Sequence, residues 1–254
     1  MVSILIITHN RLDYFRKCLE SVLKTTEKID KEIILWDNAS DDGTKDYILK
    51  MSEDYDFIKP VLNETNIGVN AKGKAFEISK GEFIACLDDD VIELPDEWAE
   101  KMAEAFKSEP ELGYLALDVI QNEHTTGAKL SEENYKEKIL DNGLILQTGP
   151  VGGWCFMVSR RVYNIVGKFR QAKGRIFFGE DGDYVIRCRL KGLYSAILKD
   201  VKCFHATGPY YNKNYEKIFE SKMKDFNSGN IDAHTVKVKA RQIINKVIKT
   251  GKRK

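Results

Sequence analysis

"FIACLDDDVIELPDEW", residues 83–98, runs from an apolar stretch into three consecutive aspartates and on toward a helix. Asp88, Asp89 and Asp90 repel one another and resist desolvation, so a strand end carrying all three needs water over every carboxylate or a cation among them. Upstream, Ser3 to Ile7 and Glu32 to Trp36 are short apolar runs rich in β-branched residues, as expected of strands buried on both faces. Between them Tyr14, Cys18, Leu19, Val22 and Leu23 recur at helical spacing, with Asn10 placed as a cap. Further helices are predicted after Thr44, over Ala71 to Ser79, and from Pro95-Asp96-Glu97, where Trp98, Met102, Ala105 and Phe106 form the apolar face. This alternation predicts an α/β fold, with a doubly wound, mostly parallel central sheet and helices on both faces.

Ligands of such sheets bind beyond the carboxyl ends of the strands. Those ends carry Thr8-His9-Asn10-Arg11, the run Asp37 to Thr44, and Asp88-Asp89-Asp90, so the polar clusters fall on one edge. The second half is less regular. Residues 121–148 read as a polar excursion without a period, "GGWCFMV" follows at 152–158, "FFGEDGD" at 177–183 leads into a helix-like run, and His205 closes a strand-like segment.

Bulk properties narrow the classes. The 254 residues suffice for one large α/β domain. Forty Lys and Arg against 39 Asp and Glu leave a formal charge of +1, which gives no support to a nucleic-acid partner. The five cysteines are odd in number, widely spaced and form no C-x-x-C pair, which predicts neither disulfides nor zinc and fits a reducing cytoplasm. No apolar run approaches the roughly eighteen residues that span a bilayer, and no cationic residue precedes the first apolar run, as a signal peptide would require. From His234 onward there are eight Lys or Arg and no acid, interleaved with Val and Ile. That pattern suits either a helix lying on an anionic membrane surface, giving peripheral contact, or a packed terminal helix with a solvated basic face.

Taken in order, "SILIITHNR" (3–11), "DNASDDGT" (37–44), "NIG" (66–68), "SKGEFIACLDDD" (79–90), "GGWCFMVSRRVYNIVGKF" (152–169), "GEDGDYVIRCRLKG" (179–192) and "FHATG" (204–208) resemble the family 2 glycosyltransferases of the GT-A fold. The kind resembled is inverting, non-processive and rhamnosyltransferase-like. The resemblance spans about residues 1–210, dividing into a nucleotide-sugar-binding half (1–115) and an acceptor and catalytic half (116–210), with a basic helical tail at 211–254. The Q-x-x-R-W motif of processive members is absent: tryptophan occurs only at positions 36, 98 and 154.

The resemblance implies a chemistry that the residue types suit. A nucleotide-sugar donor has a diphosphate leaving group, whose developing charge a divalent cation neutralises. Mn²⁺ and Mg²⁺ favour carboxylate oxygens, and Mn²⁺ also accepts imidazole. The implied metal ligands are Asp90, Asp88 and His205; the acidic run also supplies the ribose or sugar contact, through Asp88 or Asp89, and because all three are Asp the assignment stays open. Asp37 is implied to accept hydrogen bonds from the base, which uracil, guanine and thymine all allow. Thr8, Asn10 and Arg11 are implied to flank base and phosphates, and Asn66 and Gly68 to form the turn near the ribose. Where the family has Ala-Arg-Asn this chain has Ala71-Lys72-Gly73, and Lys72 replaces an arginine without its bidentate fork.

By the same resemblance Asp181 is the general base that deprotonates the acceptor hydroxyl, and Glu180 orients a sugar. Trp154, beside Gly153, reads either as an acceptor-stacking ring or as a core tryptophan. The expected activity is transfer of one sugar from a UDP, GDP or dTDP donor to a hydroxyl of a glycan, glycolipid or protein. Two alternatives were weighed. A sugar-phosphate nucleotidylyltransferase would open with a glycine-rich first loop, and a non-catalytic binding module would be expected to have lost Asp90, Asp181 or His205. Oligomeric state is open at this level.

Overall fold

A computed structural model describes residues 1–122, 129–170 and 179–206. The tail read at 211–254, with its membrane contact, lies outside them. The elements run β1 (Val2–Thr8), α1 (Leu12–Thr25), β2 (Lys31–Asp37), α2 (Thr44–Asp54), β3 (Ile58–Leu62), α3 (Asn70–Ile78), β4 (Phe83–Asp88), β5 (Val91–Glu93), α4 (Trp98–Ser108), β6 (Leu112–Val119), β7 (Lys136–Ile139), β8 (Ile145–Thr148), β9 (Cys155–Ser159), α5 (Arg160–Val166), α6 (Glu180–Leu190) and β10 (Tyr194–His205). No helix among the described residues is long and apolar enough to cross a membrane.

The sheet order is β3-β2-β1-β4-β9-β6-β10-β8-β7, with β5 pairing β10 off this path. β3, β2, β1 and β4 are mutually parallel, as the βαβ alternation predicts. β9 enters antiparallel between β4 and β6, and β6 then pairs β10 in parallel. The central strands are buried along nearly their whole length, which is why they read as continuous apolar runs.

The end of the sheet opposite the acidic run is fastened by Glu32. Its Oε1 accepts from Ser3 Oγ and from the Lys80 amide, both at 2.5 Å, and Lys59 pairs with Oε2. Burial works to raise this carboxyl, but Lys59, Ser3 and the amide outweigh it and hold it below the ordinary range. A depressed carboxylate stabilises the fold above its unfolded value of about 4.3 and loses that stabilisation as pH falls through the folded value. Glu32→Gln is therefore expected to cost about 1–3 kcal/mol near neutrality and less in acid. Thermal melts from neutral to acid pH check this; an equal cost at both ends would exclude the linkage.

Three local expectations are corrected. Residues 121–148 are not merely an excursion, for β7 and β8 form an antiparallel hairpin that extends the sheet; β7 is an edge strand exposed along its length, so no alternation marks it. Asn10 does not cap α1. It sits at φ 52° with its Oδ1 accepting from the Asp41 amide, and Asp42 Oδ2 instead accepts from the Leu12 amide. The helix expected from Pro95 starts at Trp98, after Glu97 in the left-handed region at φ 60°.

Candidate active site

The ends of β1, β2 and β4 place Thr8, Asp37 and Asp88 on one edge, as the registers Thr8↔Asp37 and Ile7↔Asp88 require. The three aspartates that end β4 point to different partners. Asp89 is buried: its Oδ2 accepts from Thr8 Oγ1 at 2.8 Å and its Oδ1 pairs with Arg11 at 2.8 Å. The same guanidinium donates to Asp90 Oδ2 at 2.7 Å. Arg11 and Asp89, both expected at the nucleotide, pair with each other here, and the same guanidinium also meets Asp90. Asp89 is pushed up to about 6 by burial, against the pull of Arg11 and the Thr8 hydroxyl.

His205 reaches this cluster by a change of partner along β10. The pairing with β6 shifts register between Leu198 and Lys202, around Asp200 at φ 65°, a bulge that bends the strand. Beyond it Phe204 and His205 pair with Glu93 and Val91 of β5, and the Ala206 amide donates to the Asp90 carbonyl at 2.8 Å. His205 Nε2 then lies 3.0 Å from Asp90 Oδ1 and 3.7 Å from Asp88 Oδ2. Burial works to lower the imidazole's affinity for a proton, but Asp90 and Asp88 outweigh it and the group is raised.

The donor set fits a divalent cation. One ligand atom from each of Asp88, Asp90 and His205 lies within 4.8 Å of the others. Asp90 Oδ1, the oxygen that His205 Nε2 approaches, is buried without a conventional hydrogen-bond partner. A buried carboxylate oxygen so placed is costly unless a charge joins it. Two carboxylates and an imidazole suit Mn²⁺, and the carboxylates alone suit Mg²⁺.

The second acid pair comes from the first turn of α6, where Glu180 and Asp181 sit at the positive end of the helix dipole. Lys72, on α3, reaches both, with Nζ 2.9 Å from Glu180 Oε1 and 2.8 Å from Asp181 Oδ1. This ammonium, expected to replace an arginine at the nucleotide, is instead buried against the acids of α6. Gly153 supports the arrangement by what it lacks: a Cβ there would stand 2.0 Å from Asp181 Oδ2. Gly153→Ala is expected to displace the carboxylate and slow turnover by on the order of a hundredfold, since misplacing a reacting group by about 1 Å costs that much. Turnover measured beside a thermal melt checks this, and an unchanged rate would show that Asp181 does not act from this position.

Two other expectations change. Trp154 is core: it is 4% exposed and its Nε1 donates to the Leu117 carbonyl at 3.0 Å, so no ring face is open to a sugar. Asp37 is 1% exposed, and both its oxygens accept from the Ser40 amide at 3.2 Å, closing its own turn. Sequence reasoning missed Asn38. Its carboxamide donates to Asn66 Oδ1 (2.9 Å) and the Gly68 carbonyl (3.2 Å) and accepts from Asn63 Nδ2 (3.1 Å) and the Ile67 amide (3.0 Å). That uses the full capacity of the group and fixes the 63–68 turn, including Asn66 and Gly68.

Comparison with known proteins agrees with this architecture. Residues 3–167 match the family model described as glycosyl transferase family 2. The chain is 30% identical over 157 residues to an uncharacterized glycosyltransferase of Nostoc sp., covering 61% of this chain and 48% of that protein. It is 31% identical over 140 residues to poly-beta-1,6-N-acetyl-D-glucosamine synthase of Staphylococcus aureus, covering 54% and 33%. The matches thus span about half or less of these relatives. Among solved structures, it resembles a mannosyltransferase from Pyrobaculum calidifontis in complex with GDP-Man and Mn²⁺ (TM-score 0.65, 17% identity, 91% of this chain and 64% of that one). It also resembles GalNAc-T7 with UDP, GalNAc and Mn²⁺ (TM-score 0.64, 18% identity, 89% and 50%). These neighbours share the GT-A fold. With the family model covering more than half of its length, the chain belongs to glycosyl transferase family 2.

Proposed function

We propose that this chain transfers a single sugar from a nucleotide-sugar donor to an acceptor hydroxyl, with inversion and with a divalent cation, in the manner of the non-processive, rhamnosyltransferase-like members. The observation that carries this reading is the presence of two distinct acid groups close enough to influence one another: the Asp88–Asp90–His205 set, in which Asp90 Oδ1 is orphaned, and the Glu180–Asp181 pair on α6. Asp88, Asp90 and His205 would hold Mn²⁺ or Mg²⁺, which when bound neutralises charge on the departing diphosphate. Asp181 takes the proton of the acceptor hydroxyl, and Glu180 orients the sugar. Thr8 and Arg11 keep the acidic run in place, and Asn38 holds Asn66 and Gly68 beside the nucleotide. Asp37, held by the Ser40 amide, keeps lone pairs with which to accept from a base N–H.

The relatives bind UDP or GDP-Man, and the donors proposed here are UDP-, GDP- or dTDP-sugars, with a glycan, glycolipid or protein as acceptor. Calorimetry against UDP, GDP and dTDP, each with Mn²⁺ and with EDTA, tests the reading. Binding of one nucleotide only with metal supports it, and no binding to any of the three by folded protein would overturn it.

A further inference from the structure

Lys72 is a buried cation whose observed contacts lie away from the acidic end of β4. It projects from α3 in the nucleotide half, yet its ammonium contacts two acids of α6 in the other half and lies 5.3 Å from the Phe156 ring. Burial alone would weaken its hold on the proton. Asp181 and Glu180, with Cys86 and Asp88 further off, more than restore it, so the group is held well above the ordinary lysine value. Burial and Asp181 together raise Glu180, with Lys72 opposing them. A compact ammonium with three donors can serve two carboxylates from adjacent residues, where a planar guanidinium favours two oxygens of one.

The two oxygens of Asp181 are thereby made unequal. Oδ1 accepts from Lys72, whereas Oδ2 lies against Gly153 and accepts no hydrogen bond among the described residues. Resting on the glycosyl-transfer reading, we propose that Lys72 is a positioning residue for the base: by holding Asp181 Oδ1 and Glu180 Oε1, it presents Asp181 Oδ2 to the acceptor hydroxyl. The proton of that hydroxyl passes to Oδ2 as its oxygen bonds to the anomeric carbon. The bond from that carbon to the diphosphate breaks, and its electron pair leaves on the diphosphate. The acceptor is thus deprotonated from a fixed direction by a carboxylate tethered to the donor half of the site.

The test uses the full chain with Mn²⁺ and UDP-GlcNAc, GDP-mannose and dTDP-rhamnose as probes, read as release of nucleotide with water as acceptor. Lys72→Met should lower kcat by on the order of a hundredfold and leave nucleotide affinity and donor KM unchanged. Ethylamine should restore part of the turnover of Lys72→Ala. Weakened nucleotide affinity with kcat preserved at saturating donor would overturn the proposal and return Lys72 to the donor site. Should Lys72→Met fail to fold, ¹⁵N NMR of the Lys72 ammonium decides. A titration midpoint above that of ordinary lysines that falls in Asp181→Asn supports the clamp, and an unchanged midpoint overturns it. Wild-type protein silent toward all three donors, with the NMR shift intact, would overturn the glycosyl-transfer reading and the base role with it, leaving only the ion-pair contact.

Discussion

Asp181→Asn is expected to leave metal-dependent nucleotide binding intact and to lower sugar transfer by about 10²–10⁴-fold, the range that a positioned general base supplies, if Asp181 is the base proposed above. The separation follows from the geometry. Asp181 belongs to α6, whereas the nucleotide edge is built from the ends of β1, β2 and β4, so the substitution touches the acceptor's proton and not the donor's phosphates. Asn is nearly isosteric and its carbonyl oxygen still accepts from Lys72, so the buried ammonium keeps a partner. Transfer and nucleotide affinity measured on the same preparation decide the matter. A parallel loss of both would mean that Asp181 holds the cleft together and is not the base.

Asp90→Ala and His205→Ala are expected to have the second large effect, on binding itself. Each removes one of the three proposed ligand atoms, and even outer-shell changes at metal sites cost about 10–100-fold in affinity, so direct ligands should cost at least that. The two substitutions differ in their side effects. Asp90→Ala also removes an acceptor from Arg11, whose ion pair with Asp89 remains. His205→Ala leaves the Arg11 clamp whole, since its contacts are to Asp90 and Asp88. Titration with UDP, GDP and dTDP in Mn²⁺ and in EDTA reads the effect. Nucleotide affinity that is the same with and without metal in wild type and His205→Ala would remove the imidazole from the site.

Much of this site is legible before any coordinates. The β-branched runs at 3–7 and 32–36 and the acidic ends at Asp37 and Asp88 locate the parallel strands and the binding edge, because strands buried on both faces leave continuous apolar signatures. The destinations of individual side chains are not legible. Lys72, Arg11 and Trp154 each sit where residue type allows two readings, and which one holds depends on partners distant in sequence: Asp181 for Lys72, Asp89 for Arg11, the Leu117 carbonyl for Trp154. Asn38 was passed over because an Asp-Asn pair before a turn is common chemistry, and its four hydrogen bonds exist only once the 63–68 turn lies against it.

The bulge in β10 also orders events in time. The acidic run at the end of β4 is complete early in the chain, but His205 joins it only after β10 has paired with β6, turned at Asp200 and reached β5. Contacts between segments so distant in sequence are slow to form, so the three aspartates must wait beside a sheet that already exists. Arg11 shares its one positive charge between Asp89 and Asp90 in the interval, and the Thr8 hydroxyl donates to Asp89. The proposed metal set is thus completed only by a contact between segments more than a hundred residues apart, and it depends on the β10 bulge that delivers the imidazole.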